Sequence, residues 1–417
     1  MPLFQKRPAK LVYISDHAFF ESEEDDDQDD SGGNGEDETD KLPDNLTITN
    51  CDLLFYIVAI GTYLADIGTD CSVAYTHYTE GRFWSGVFIG LLAVLPSIIL
   101  NFVTFLWMLD DEKQQHRKTN RSLSLRAFLC FIQIGPLVYY YDAACAARKS
   151  QKARTFKEKK YQYKKMVAAE RDATLLRFFE AFMESAPQLM IQGFILAAFV
   201  WSHDTTVDLP SWVYVQCGSL LCSLLSVSWS LSIQHRTLRL SRPDKSNISM
   251  NESLVQLLWR ACTVVSRFIT LIVFCLAYAH WVVPFFITHF IISVVHISAL
   301  QSISFDSPTL EVGLVLIVGA VHFTAPFNMA EGNTRIRYTV AYLIEWLEML
   351  GIFFVVLHDD HFGFPYKFQM FYAVLGLFIS GIFTMLVYYK WFHPNRRDAR
   401  GSPISQNDAS VRQHNST

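Results

Sequence analysis

Four side chains carry the strongest chemical signal in the chain. Arg177, Glu180, Glu184 and Gln188 follow one another at steps of three, four and four, inside an apolar segment that runs to about Trp201. On a helix those steps place all four on one face. A helix needs ~20 residues to cross a bilayer, and a charge at its centre costs ~2.5–3.5 kcal/mol on insertion scales. Residues bearing that cost turn away from lipid and line a path or a partner. An Arg177–Glu180 ion pair would account for two of the four. It leaves Glu184, one turn from a like charge, unexplained.

Other apolar runs also hold charges. Asp66 and Asp70 lie one turn apart, and Arg260 and Arg267, seven residues apart, share a face. Glu345 and Glu348 lie in a later run, where pairing with an arginine near the interface is the favoured reading. Both signs are therefore present. An ion-selective pore uses one sign. A mixed ladder suits a zwitterionic lipid headgroup that steps past carboxylates and guanidiniums while its acyl tails stay in hydrocarbon. The sequence has no G-x-x-x-x-G-K-[ST] phosphate loop, so the residues permit downhill movement in both directions and give ATP-driven pumping no support. H-E-x-x-H is absent too, and His358-Asp359-Asp360-His361 reads as a polar loop before it reads as a metal site. No catalytic chemistry, cofactor, metal or nucleic-acid partner is expected.

The elements that must hold these residues follow from hydropathy. The chain has 417 residues, 51% of them apolar, and the apolar ones gather in runs of spanning length. The expectation is an all-α polytopic membrane protein. Its eight spanning helices fall near Leu53–Tyr75, Trp84–Leu109, Thr174–Trp201, Val213–Ile233, Leu254–Tyr278, Val282–Leu300, Ile336–Leu357 and Phe368–Tyr389. Two shorter runs, 127–141 broken by Gly135-Pro136 and 312–329 broken by Ala325-Pro326, read as re-entrant half-helices. Basic residues flank 127–141 on both sides, and the positive-inside rule keeps such flanks in the cytosol. Of the 35 Lys and Arg, this map places only Arg82 and Lys367 outside and Arg177, Arg260 and Arg267 in the membrane. Both termini are then cytosolic. Four spans and one short element occur twice, in 51–245 and again in 246–391. Paired interrupted segments in two halves point to a transport path at the repeat interface. Cys71 and Cys217 both fall near outer membrane ends, which leaves a disulfide between them open.

The two ends differ in charge. Residues 1–50 form an acidic tail that cannot build a core, and 392–417 form a short basic one. Two tetrapeptides in the first tail, Asp37-Glu38-Thr39-Asp40 and Asp27-Gln28-Asp29-Asp30, fit the D-x-x-D pattern cut by effector caspases. Asp40 and Asp30 are the candidate cleavage positions, although any acidic tract yields such matches. The tail can also rest against basic cytosolic loops and restrain the protein until it is cut.

The run Phe178-Phe179-Glu180 with Met183-Glu184-Ser185-Ala186-Pro187-Gln188-Leu189 resembles the signature helix of the XK-related family. That family includes the caspase-activated phospholipid scramblases. The resemblance extends from about Asp52 to Trp391. It implies energy-independent lipid scrambling in the plasma membrane, with phosphatidylserine exposure in apoptosis, and membrane phospholipids and a caspase as partners. It also implies that acidic positions in the first and signature helices matter, a correspondence that is close at Glu180 and Glu184 and looser at Asp66 and Asp70; for the basic Arg260, in a later helix, the correspondence is weak. Many vertebrate members resembling this chain carry the caspase site in the C-terminal tail. Here that tail lacks D-x-x-D, so an N-terminal site resembles the nematode arrangement. Vertebrate relatives also work with a single-span membrane chaperone, which makes such a chaperone, or a second copy of the chain, a further expected partner. A constitutive lipid or solute transporter of the same family, and a structural membrane subunit, are the alternatives.

Overall fold

The computed structural model describes residues 48, 50–113, 123–202, 209–240, 248–300, 308–328 and 334–393. Asp30 and Asp40 lie outside the described residues. Twelve α-helices account for almost all of the described chain, and among the described residues there is no strand. The first half comprises α1 (Asn50–Thr79), α2 (Phe83–Lys113), α3 (Leu123–Phe131), α4 (Gly135–Lys152), α5 (Phe156–Glu180), α6 (Ala186–Ser202) and α7 (Ser211–Leu240). The second comprises α8 (Met250–Ala277), α9 (Val282–Leu300), α10 (Pro308–Val321), α11 (Thr334–His358) and α12 (Lys367–Val387).

Eight of the helical stretches are long and apolar enough to cross a membrane, and they are the eight expected. Their outward faces carry Leu54, Ile57, Leu64, Phe88, Leu91 and Leu95, all exposed. Such a belt is stable only against hydrocarbon. One boundary moves. The helix expected to begin at Thr174 begins at Phe156 and continues without interruption to Ser202. Its first turns are rich in Lys, Glu and Ala, which favour helix strongly without being apolar, and Thr155 caps them by accepting from the Glu158 backbone N–H. Cys71 and Cys217 stand as free thiols.

Both short runs are broken where proline suggested. Between α3 and α4 the chain turns through Gln133, whose φ is +65°, and α4 restarts at Gly135-Pro136, where proline lacks only an N–H the helix does not need. The turn's polar groups are met by neighbouring helices. The Gly135 N–H donates to Asn101 Oδ1 at 2.8 Å, Tyr63 Oη donates to the Gln133 carbonyl at 3.2 Å, and Gln133 Oε1 accepts from Ser97 and Asn101 at 2.9 and 3.0 Å. Tyr63, Ser97 and Asn101 all sit near the middle of α1 or α2, so the turn lies level with mid-helix.

The second run shows the same construction. After α10 the chain is non-helical over 322–328. Its backbone carbonyls are taken up by side chains: Arg260 donates to Pro326 at 2.6 Å, Arg267 to Phe323 at 2.9 Å and His322 to Phe327 at 2.7 Å. Irregular backbone inside a helical bundle needs internal partners of this kind.

Among the described residues, three large apolar clusters hold the bundle, with a smaller one around Phe199, Trp212 and Val213. One lies in the first half around Tyr56, Leu100, Tyr139 and Leu176, and one in the second around Trp259, Tyr342, Phe353 and Phe378. The third joins the halves, where Phe178, Leu189, Val227, Val264, Phe268 and Phe327 meet. The signature helix therefore contributes to the seam on one side. Its other side faces α1 and α7.

Candidate functional site

The site is a column of buried polar groups between α1, the α5–α6 helix and α7. Its centre is a local change of helix type. Residues Ala181–Ser185 form a π turn between α5 and α6, which shifts the side chains after it around the axis. Insertions of this kind recur at functional sites. Arg177 and Glu180 precede the turn and Glu184 lies within it. Gln188 follows it, and all four are 3% exposed or less.

Arg177 is the hub. It pairs with Glu180 at 2.7 Å and with Asp66 of α1 at 3.5 Å. It also donates to Ser226 of α7 at 2.9 Å and lies 5.3 Å from the Tyr63 ring centroid. Ser185, inside the π turn, donates to Asp66 at 2.8 Å, and Ser223 lies 3.4 Å from the other Asp66 oxygen. Above this level Ser219 donates to Asp70 at 2.7 Å, and Gln192 reaches the same Asp70 oxygen at 3.4 Å. Gln188 donates to the Ile89 carbonyl at 2.9 Å and accepts from Gln192 at 3.0 Å. The chain continues through Gln216, which donates to the Gln192 carbonyl, to His77, 2.8 Å from Gln216 Oε1.

Two carboxylates of the column keep open oxygens. Glu184 has no hydrogen-bond partner at either carboxylate oxygen, and Asp70 has none at Oδ2. A buried carboxylate without a partner destabilises a fold. Glu184, beside Glu180, and the free Oδ2 of Asp70 leave acceptor capacity open along the column.

Arg260 and Arg267 are elsewhere. Both project from α8 onto the non-helical segment 322–328, where Arg260 also donates to Tyr338 at 2.8 Å. Arg267 pairs with Glu348 at 2.7 Å, and Glu348 lies 2.7 Å from His289. The structure thus joins Asp66, Asp70, Arg177, Glu180, Glu184 and Gln188 into one site and gives the α8 arginines a place on the second broken segment. Glu348 pairs with an arginine, as favoured, and Glu345 has one oxygen without a partner. Among the described residues no three His, Cys, Asp or Glu side chains are set to hold a metal ion.

A family model described as XK-related protein matches residues 54–394. The chain belongs to the XK-related family. It is 41% identical over 392 residues to cell death abnormality protein 8 of Caenorhabditis briggsae, covering 89% of this chain and 85% of that one. The Caenorhabditis elegans protein of the same description is 41% identical over 377 residues, 86% and 82% of the two chains. XK-related protein 8 of Pan troglodytes is 26% identical over 353 residues, 82% and 84%.

Within this XK-related chain, sequence reasoning missed much of the column. Gln216, Ser219, Ser223 and Ser226 recur at steps of three and four on α7, and Gln192 lies one turn beyond Gln188. Each is ordinary alone. Their shared face on an apolar helix was the available signal.

Proposed function

We propose that this chain is a phospholipid scramblase. It moves lipids, phosphatidylserine among them, between the leaflets of the plasma membrane without an energy source. The observation that carries the reading is the buried column itself, where Arg177, Asp66 and Glu180 offer both signs and Glu184 and Asp70 keep unpartnered oxygens. A headgroup carrying phosphate and amine needs both a guanidinium and carboxylates to replace its water. Family membership and the likeness to proteins described by a cell-death phenotype support the same reading.

In this proposal both termini are cytosolic. The interrupted elements around Gly135 and 322–328 are re-entrant and mark corresponding places in two pseudo-symmetric halves. Their mid-helix partners, Tyr63 and Asn101 for the first and Arg267 for the second, support that depth. The acidic N-terminal tail restrains the protein, and a caspase cutting after Asp40 or Asp30 releases it in apoptosis.

The test is lipid scrambling in reconstituted vesicles, comparing the full chain with one that begins at Lys41. Faster scrambling by the shorter chain supports both activity and restraint. Equal, clear scrambling keeps the activity and removes the switch. Absence of scrambling in both, with and without a single-span partner, overturns the reading in favour of a structural subunit.

A further inference from the structure

A second polar site lies in the other half of the bundle. Between α9, the 322–328 segment and α11 there is a buried cavity lined by His289, Ser293, His296, His322 and Glu345, among others. It has about 10 Å³ of room for the centre of a water-sized sphere, which is about what one water molecule requires. His296 and Glu345 are 7% and 5% exposed. Neither ring nitrogen of His296 has a hydrogen-bond partner on the protein, and Glu345 Oε1 has none.

The other groups around the cavity are committed. From α8, Arg260 is held by Pro326 and Tyr338, and Arg267 by Glu348 and Phe323. From α9, His289 contacts Glu348 through Nδ1 at 2.7 Å and the His322 carbonyl through Nε2 at 3.1 Å. From the non-helical segment, His322 donates Nε2–H to the Phe327 carbonyl. From α11, Tyr342 accepts from Trp259, Arg337 donates to the Leu300 carbonyl, and Glu348 is shared by Arg267 and His289. Glu345 and His296 are the ionisable groups that remain. A neutral imidazole presents one donor and one acceptor, a carboxylate presents acceptors, and a water molecule presents two of each. One water can therefore bridge a His296 ring nitrogen and Glu345 Oε1.

We propose that this cavity is a binding site for one water molecule and one exchangeable proton, held between Glu345 and His296. The proton resides on the imidazole or on the carboxyl, and the water carries it from one to the other. No bond beyond O–H and N–H is made or broken, and the proton is taken from and returned to solvent. Two groups that share a proton titrate as a pair, with midpoints that belong to neither alone. The site rests on the fold and is independent of the scramblase reading.

The experiment is infrared spectroscopy of the full chain in lipid nanodiscs, titrated from about pH 5 to 9, a window that brackets imidazole. Glu345→Gln assigns the carboxyl signal and His296→Asn the ring signal. Both are near-isosteric and add no bulk. Expected is a Glu345 signal that changes at the same midpoint as the His296 ring mode. In H296N the Glu345 midpoint moves by at least about one pH unit, a tenfold change in proton affinity. Ala341 also lines the cavity. Ala341→Val fills the water's place, keeps both titrating groups and makes the two midpoints separate. A Glu345 midpoint unmoved by H296N overturns the shared proton. Coincident midpoints in A341V overturn the bridging water.

Discussion

Arg177 on α5 reaches across to Asp66 on α1 at 3.5 Å while holding Glu180 on its own helix at 2.7 Å. One guanidinium therefore bridges carboxylates from two helices that are more than a hundred residues apart in sequence. All three side chains are buried. Removing one partner of a buried ion pair strands the others and costs ~3–5 kcal/mol. Arg177→Gln is expected to fold poorly, with a markedly lower melting temperature in detergent. Arg177→Lys retains the charge but loses the fork that reaches Ser226 and both carboxylates, so it should fall between. Equal melting temperatures for R177Q and wild type would remove Arg177 from its role as hub.

Glu184 behaves in the opposite way. It makes no hydrogen bond, so Glu184→Gln breaks none and removes a charge that burial disfavours. The expected result is a stability equal to or above wild type together with a fall in lipid scrambling of about tenfold, the effect of ~1.4 kcal/mol on a barrier. Glu180→Gln, which loses the Arg177 pair, should lower both. The contrast between the two variants separates a group kept for transport from one kept for folding. If E184Q scrambles at the wild-type rate, Glu184 is not on the path.

Much of this was legible because charge is conspicuous in an apolar run. Arg177, Glu180, Glu184, Asp66 and Asp70 could each be named from hydropathy alone, and so could the eight spans. The π turn at Ala181–Ser185 could not, because helix type depends on packing around Asp66 and Ser226 and not on local propensity. Arg260 and Arg267 show another limit. Their common face was readable, but each also holds a backbone carbonyl of 322–328, and carbonyls leave no mark in a sequence. The early start at Phe156 escaped for a third reason: its charged residues suit helix and not lipid.

The turn at Gly135 gives a stability prediction for the first broken segment. A Cβ there would lie 2.7 Å from Asn101 Oδ1 and 2.8 Å from Cys130 Sγ. Asn101 cannot retreat without giving up its bonds to the Gly135 N–H and to Gln133. Gly135→Ala is expected to destabilise by ~1–3 kcal/mol, the usual cost of overpacking, measured as a lower thermal midpoint. Gly376, with nothing within 4 Å of its added Cβ, is the control, and Gly376→Ala should match wild type or exceed it.

The connection after α8 makes a prediction about pH that concerns groups beyond the spanning segments. Tyr278 Oη donates to Asp359 Oδ2 at 2.7 Å, and Asp359 Oδ1 accepts from the His361 backbone N–H at 2.9 Å. The Tyr278 bond, with the His361 bond behind it, holds the Asp359 carboxyl below its usual range. Burial, then the bond to Asp359, pushes Tyr278 up to about 12. The signs differ for the two partners. A depressed carboxyl contributes stability above its unfolded value of ~3.9, and that is lost as pH falls through the folded value. A raised phenol contributes stability below its unfolded value of ~10, and that is lost as pH rises through the folded one. The contact between the α8 and α11 ends should therefore hold across the neutral range and open at both extremes. Asp359→Asn removes the charge but keeps the shape. Tyrosinate absorbance, referenced to Tyr278→Phe, should show the Tyr278 midpoint dropping from about 12 back toward ~10 in D359N. A midpoint that stays where it was would mean that burial alone raises Tyr278 and that Asp359 does not fasten this end of the bundle.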